Sequence, residues 1–136
     1  MDGENRNIVE RFMRSATIPF LYQQENRTHS MASGTLFKIK NRHFVITARH
    51  IFDHIQPGEL AYPADRMRGK SYTIGKCAIY LPTSEKIDIA VVELLEAETI
   101  RKLEKGWIFL GKDNIGTPSD SGLFALMGYP SELSTQ

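Results

Sequence analysis

The spacing of apolar residues changes early in the chain from the period of a helix to that of a strand. Between residues 6 and 15, apolar and charged side chains alternate with helical spacing, which predicts a short amphipathic helix. Its apolar residues are Ile8, Val9, Phe12 and Met13. From Ile18 to Tyr22 the period is two, as in a strand, and the polar run from Gln23 to Ser33 predicts a loop.

A series of strands is predicted for the middle of the chain. Phe37 and Ile39 are expected on the inner face of one strand, and residues 44–47 return from a turn at Asn41. Further strand patterns occupy residues 71–81 and 87–94. A helix is predicted over residues 96–105, with Gly106 as its stop signal, before strand patterns at 107–110 and 123–127.

Composition is that of an ordinary globular protein of one domain. The 136 residues are 41% hydrophobic and 24% charged, and 17 basic against 16 acidic side chains leave a net charge of +1. This small charge provides no field for nucleic acid or an anionic membrane, so neither is expected as a partner. The single cysteine, Cys77, excludes an internal disulfide, and charged residues follow Met1 where a signal peptide would be apolar. We therefore expect a cytoplasmic protein.

Two segments contain the residues of an acid–base pair. An apolar strand beginning at Phe44 ends in Thr-Ala-Arg-His at His50, and Asp88 opens an apolar run that ends at Leu94. A histidine acts as a general base near neutral pH when a carboxylate holds its tautomer and stabilises the imidazolium. His50 precedes Asp88 by 38 residues (88 − 50), which leaves room for two or three strands between them.

In this order, the segments resemble the trypsin-like serine proteases of the chymotrypsin fold. The resemblance runs from about residue 17 to 130 and includes the strand Gly34-Thr35-Leu36-Phe37, both segments above and a Gly-x-Pro at residues 128–130. It implies peptide-bond hydrolysis by a Ser-His-Asp triad, with His50 as the base and Asp88 as its carboxylate partner. It implies a peptide or protein substrate, and neither a cofactor nor a metal.

The resemblance also implies an all-β fold, an antiparallel six-stranded barrel that is half of a double-barrel protein. We expect residues 1–95 to form a short helix and this barrel, residues 96–106 a linker helix, and residues 107–136 the start of an incomplete second barrel. Unpaired strand edges in that second barrel predict self-association through it.

Two features depart from the family pattern. Arg49 stands where the family usually has alanine, and we expect its side chain to point outward or to engage substrate. The nucleophile motif Gly-x-Ser-Gly is missing, since Ser121 lacks the first glycine and precedes the Gly-x-Pro that it should follow. We interpret Ser121 as a turn serine and the chain as an N-terminal fragment that is inactive by itself.

Two alternative functions stay open. The run from His50 to His54, His-Ile-Phe-Asp-His, approximates the His-x-x-Glu-His motif of zinc peptidases, with aspartate for glutamate and no third ligand evident. The other alternative is an inactive protease-like barrel that serves as a binding module and keeps His50 and Asp88 as relics. His29 and His43 lie in a polar loop and beside a turn, so we expect both to be solvated.

The protease interpretation makes one geometric prediction. A ring nitrogen of His50 should face the carboxylate of Asp88 at about 2.6 to 3.2 Å, with the pair partly exposed on one rim of the barrel.

Overall fold

The computed structural model describes residues 3–24, 27–56, 59–64 and 70–114. In these residues, the helices are α1 (Gly3–Ala16) and α2 (Ala97–Gly106), with two short 3-10 helices, Arg49–Asp53 and Lys112–Asn114. The strands are β1 (Thr17–Gln24), β2 (Arg27–Ile39), β3 (Arg42–Thr47), β4 (Leu60–Pro63), β5 (Ser71–Thr73), β6 (Cys77–Tyr80) and β7 (Ala90–Leu94). Both long helices fall within a few residues of their predicted bounds. In the described part of the chain, no helix is long and apolar enough to cross a membrane.

The strands form one antiparallel sheet, and its two edge strands follow each other in the sequence. Their order is β5-β4-β1-β2-β3-β7-β6, so β5 and β6 lie at opposite edges. Only residues 74–76 connect those two edges, and a connection from Thr73 to Cys77 spans at most about 14 Å. The sheet therefore curls into a half-barrel. Gly75 turns the corner with a φ of 77°, in the left-handed region that favours glycine.

The expectation of a mostly antiparallel β fold is confirmed. The number of strands in the described residues differs from the expected six. The segment predicted as a single strand over residues 71–81 divides at Gly75 into β5 and β6. Seven strands result in the described residues. Their hydrogen-bonded order has two ends, whereas a closed barrel has none.

The loop predicted from Gln23 to Ser33 is wrong, because most of that run extends the β1–β2 hairpin. Gln23 pairs with Thr28 and Pro19 pairs with Ser33, with an irregularity in the register after Phe20. Backbone pairing in a long hairpin does not require apolar side chains, so a polar run gave no sign of these strands.

The predicted inner face of β2 is also wrong, by one residue. Leu36 is fully buried and pairs with buried Val45, whereas Ile39 is 47% exposed. A shift of one residue exchanges the two faces of a strand. Gly34 lies on the inner face with Leu36, and a Cβ there would come within 2.5 Å of the Val45 side chain. Glycine thus lets β2 and β3 pack closely just before the site.

The hydrophobic core lies on the concave side of the sheet under α2. Its fully buried members, each worth about 1.5 to 3 kcal/mol of burial, include Ile18, Phe20, Leu36, Val45, Leu60, Val92 and Leu103. Thr99 of α2 donates to the carbonyl of Ile74 at 2.7 Å, which fixes the helix against the β5–β6 corner.

Residues 107–110, predicted as a strand, pack against this same sheet. The Trp107 indole is 5% exposed and its Nε1 donates to the Pro63 carbonyl at 3.0 Å. Leu110 exchanges two backbone hydrogen bonds with β2, one to Leu36 and one from Lys38, each 2.8 Å long. The strand predicted at 123–127 lies outside the described residues.

Candidate functional site

His50 leaves the sheet at the end of β3. The Thr47 hydroxyl donates to the Ser33 carbonyl at 2.9 Å, which ties this end of β3 to β2. Ala48 is extended, and the 3-10 helix from Arg49 then begins. Within that helix Ile51 is 2% exposed and anchors the turn in the core. Burial of Ile51 leaves the preceding His50 side chain on the rim.

Asp88 reaches the same rim from the other direction. Strands β3 and β7 are antiparallel, and Thr47 pairs with Ala90 at the edge of their ladder. Residues that follow β3 therefore lie beside residues that precede β7. This pairing brings His50, three residues after Thr47, next to Asp88, two residues before Ala90.

The two side chains are joined by two hydrogen bonds. His50 Nδ1 lies 2.7 Å from Asp88 Oδ2, and the His50 backbone N–H donates to Asp88 Oδ1 at 2.8 Å. The predicted proximity of His50 and Asp88 is confirmed. The pair is partly exposed, with side-chain exposures of 62% and 55%.

The carboxylate fixes the chemistry of the ring. Hydrogen bonds from the His50 ring and backbone, with a smaller contribution from the Arg49 backbone, lower the pKa of Asp88 below its ordinary value. An ionised carboxylate only accepts hydrogen bonds, so Nδ1 of His50 carries the proton. In the neutral ring, Nε2 then has a free lone pair. This is the tautomer that a general base requires.

Arg49 contacts the loop that leads to Asp88. Its Nη1 donates to the carbonyls of Pro82 and Ser84, each at 3.1 Å. The side chain is half-buried and turned toward this loop. Sequence reasoning missed these partners because they are backbone carbonyls, which any residue provides.

A shallow depression of about 460 Å³ opens beside the pair. Its lining residues are Arg49, His50, Asp53, Glu85 and Asp88. The depression is polar and carries more acidic than basic groups. It provides access to the His50 ring from solvent.

The zinc alternative finds no support in this geometry. His50 lies within a 3-10 helix and His54 follows its last residue, so the two do not share one face of an α-helix. No group of three or more histidine, cysteine, aspartate or glutamate side chains that could hold a metal ion occurs in the described ranges.

The other candidate residues lie elsewhere. His43 was expected to be solvated, and this is wrong: it is buried on the inner face of β3 and its Nε2 lies 2.9 Å from Glu104 Oε1. The alternation of β3 places His43 on the same face as Val45, a signal that its position beside a turn obscured. Ser121, the Gly-x-Pro at 128–130 and the side chain of His29 lie outside the described part of the chain.

Comparisons with known proteins identify no family for this chain. No family model matches the chain, and no match was found among curated proteins or among solved structures. The assignment of the site therefore depends on its sequence pattern and its geometry.

Proposed function

We propose that this chain carries the base and the acid of a trypsin-like serine endopeptidase. The observation that carries the proposal is the double contact of Asp88, which accepts from both the ring and the backbone of His50 at 2.7 and 2.8 Å. The finer architecture, an N-terminal half of a trypsin-like double barrel, belongs to the same proposal. It is supported by the β3–β7 pairing that delivers both residues to one rim.

The proposed roles follow from the tautomer. His50 Nε2 takes the proton of a serine hydroxyl as that oxygen attacks a peptide carbonyl, and later gives it to the leaving amine. Asp88 holds the ring and stabilises the imidazolium that forms. We assign the serine and the donors that stabilise the oxyanion to a segment with the Gly-x-Ser-Gly motif, which Ser121 lacks. The substrate is a peptide or protein.

A serine-directed fluorophosphonate tests the proposal. The 136-residue chain and a longer product of the same reading frame are each treated with the probe, alongside His50→Ala and Asp88→Asn variants. We expect no labelling of the 136-residue chain and labelling of the longer product at a serine in a Gly-x-Ser-Gly motif. Labelling should fall by about 10³-fold or more without His50.

The Ser121→Ala variant provides the control within the chain itself. Labelling of the 136-residue chain that disappears in both Ser121→Ala and His50→Ala would show that Ser121 is a working nucleophile. The proposal that the serine lies elsewhere would then be wrong. Labelling of the longer product that does not depend on His50 would remove the triad altogether.

The second candidate is a protease-like binding module, and exposed apolar side chains favour it. Tyr80, Leu81, Ile87 and Ile89 are each 46 to 48% exposed, and the last two flank Asp88. Exposed apolar side chains that lie together often mark protein interfaces. A longer product that stays unlabelled while it retains a folded His50–Asp88 pair would favour this function.

A cytoplasmic location is part of the proposal. It is supported by the cysteine content, since Cys77 is the single cysteine and an internal disulfide is therefore excluded.

A further inference from the structure

Arg49 links the histidine turn to the aspartate loop through its guanidinium group. Its Nη1 donates to the Pro82 and Ser84 carbonyls at 3.1 Å each, 33 and 35 residues further along the chain. We propose that Arg49 is a positioning residue that holds the loop of residues 81–89 so that Asp88 stays against His50. The inference rests on the proposed function only in treating that pair as catalytic.

The loop depends on such an attachment because its own hydrogen bonds are local. Residues 81–89 include no strand. Within the loop, the Ser84 hydroxyl accepts from the backbone of Lys86 at 3.2 Å, and the Ser84 carbonyl accepts from Ile87 at 3.3 Å. These bonds shape a turn around Ser84 without fixing it to the sheet. Ile87 and Ile89 are nearly half exposed, so burial contributes little to the position of Asp88.

The Arg49 contacts and the His50 contacts together make a two-point attachment. Arg49 and His50 are consecutive in the 3-10 helix, and they bind Ser84 and Asp88 of one loop. Asp88 is held by its two hydrogen bonds to His50 and by β7, which begins two residues later. The Arg49 contact at Ser84, four residues earlier, holds the other half of the loop, so Asp88 is restrained on both sides and keeps both carboxylate oxygens toward His50.

The chemistry of the guanidinium suits this task. Arginine stays charged at every relevant pH and offers five donors in a planar fork, while lysine offers a flexible ammonium. A charged donor makes a stronger hydrogen bond to a carbonyl than a neutral one does. The expected order of effectiveness at position 49 is therefore arginine, then lysine, then an uncharged side chain.

NMR of the 136-residue chain tests the proposal without any requirement for peptidase activity. The variants are Arg49→Met, which keeps an apolar stem of similar length, and Arg49→Lys, which keeps the charge. Lys86→Met is the matched control, because it removes one positive charge from the same loop and keeps the Lys86 backbone N–H that donates to Ser84. The probes are the low-field Nδ1 proton of His50, the exchange rate of the His50 amide, and the titration of the Asp88 carboxyl.

We expect Arg49→Met to weaken or abolish the Nδ1 signal and to speed exchange of the His50 amide by about tenfold. The pKa of Asp88 should move up toward its ordinary value. Arg49→Lys should bring each probe part of the way back to its wild-type value. Lys86→Met should leave all three probes close to wild type. A merely structural role would change the urea midpoint without this pattern.

Two results would contradict the inference, and they are distinguishable from failure of the proposed function. An Arg49→Met protein that folds and keeps the wild-type Nδ1 signal and amide exchange shows that Arg49 does not position Asp88. Equal loss in Arg49→Met and Lys86→Met shows a general charge effect. A wild-type chain whose ring nitrogen shifts show no Nδ1–H tautomer, and whose Asp88 pKa is not lowered, instead removes the His50–Asp88 pair, and with it the proposed function.

Discussion

Strand β3 has an arginine–histidine dipeptide near each end, and the two dipeptides lie in opposite environments. Arg42 and His43 begin the strand, where the His43 side chain is only 9% exposed and faces Glu104 of α2. Arg49 and His50 follow the strand, where the His50 side chain is 62% exposed and faces Asp88. Each histidine thus pairs with a carboxylate, at 2.9 and 2.7 Å.

The two histidines differ in the surroundings of the ring nitrogen that does not face the carboxylate. Nδ1 of His43 is buried and has no hydrogen-bond partner among the described residues. The ring packs edge-on against the ring of Phe109, with 5.0 Å between the two ring centroids. His50 uses its Nδ1 for Asp88 and borders an open depression. A base must exchange protons with a second molecule, so only the exposed pair suits catalysis. A histidine–carboxylate contact by itself does not identify an active site.

The two arginines differ in the groups that they bind. Arg42 donates two hydrogen bonds of 2.8 and 2.7 Å to the Glu93 carboxylate, and Tyr80 donates to the same carboxylate at 2.9 Å. These donors lower the pKa of Glu93 to about 2. Arg49 binds backbone carbonyls instead. Arg42 thus ties the first end of β3 to β7, and Arg49 ties the turn after β3 to the loop of residues 81–89.

The largest effect on stability should come from truncating the buried histidine. We expect His43→Ala to destabilise the fold by about 2 to 4 kcal/mol, because it leaves a cavity beneath α2 and unpairs Glu104. His50→Ala should change stability far less, since its side chain lies in solvent. Urea denaturation of both variants at pH 7 measures the difference.

His43→Leu sharpens this comparison. It fills the space and removes the unpartnered Nδ1, and Glu104 is 47% exposed, so water can solvate the released carboxylate. His43→Leu should therefore recover most of the stability lost in His43→Ala. Equal loss in the two variants would mean that the Glu104 contact, rather than the packing, stabilises this end of β3.

The next effect in size concerns Glu93 and depends on pH. The pKa of Glu93 in the folded state is about 2, below its ordinary value of 4.5, so the folded state binds fewer protons than the unfolded state. The ionised Glu93 carboxylate therefore stabilises the fold, and this stabilisation is complete above about pH 4.5. It is lost as the pH falls toward 2. Glu93→Gln should be less stable than wild type at pH 7, and the difference should vanish near pH 2.

Glu98→Gln is the matched control, because Glu98 also pairs with an arginine, Arg101, but with a side chain that is 66% exposed. Denaturant midpoints at pH 7, 4 and 2.5 compare the two variants. A pH dependence in Glu98→Gln as large as that in Glu93→Gln would show that burial of the carboxylate is not what matters.

The smallest effect on stability should come from Asp88→Asn, and its main consequence should be chemical. The pKa of Asp88 is lowered, so its contribution to stability also falls as the pH drops below the ordinary aspartate range, but solvent screens it on the rim. An amide can donate to Nδ1 and thereby select the Nε2–H tautomer of His50. Nitrogen NMR of the ring should show this exchange of tautomers, and an unchanged tautomer would contradict the assigned hydrogen bond.

The sequence predicted the elements whose pattern comes from burial. The α2 helix, the β3 strand and the order of His50 and Asp88 could all be foreseen, because apolar spacing and chain order define them. The face of β2 could not, since both Leu36 and Phe37 are apolar and only the register with Val45 decides which is inside. The extension of β1 and β2 through polar residues depends on backbone pairing, which leaves no side-chain pattern.

The site was also foreseen only in part. The meeting of His50 and Asp88 was predicted from the resemblance to trypsin-like proteases, and the antiparallel pairing of β3 and β7 places the end of one strand beside the start of the other. The burial of His43 depends on α2 covering that end of β3, and its one local signal was the alternation of β3, which places His43 on the same face as Val45. The contacts of Arg49 involve carbonyl groups, which are the same in every residue, so only the three-dimensional structure could reveal them.

The strand order also sets the time at which the site forms during folding. β1, β2 and β3 are consecutive neighbours, so their pairing closes short loops, whereas β7 joins β3 only after the chain from residue 48 to 89 has been closed. Closing a longer loop costs more entropy and slows folding. We therefore expect the His50–Asp88 contact to form at a late, non-local stage of folding. Nascent chains that have folded only through β3 carry the histidine without its aspartate, so the proposed base acquires its carboxylate partner only when the sheet is nearly complete.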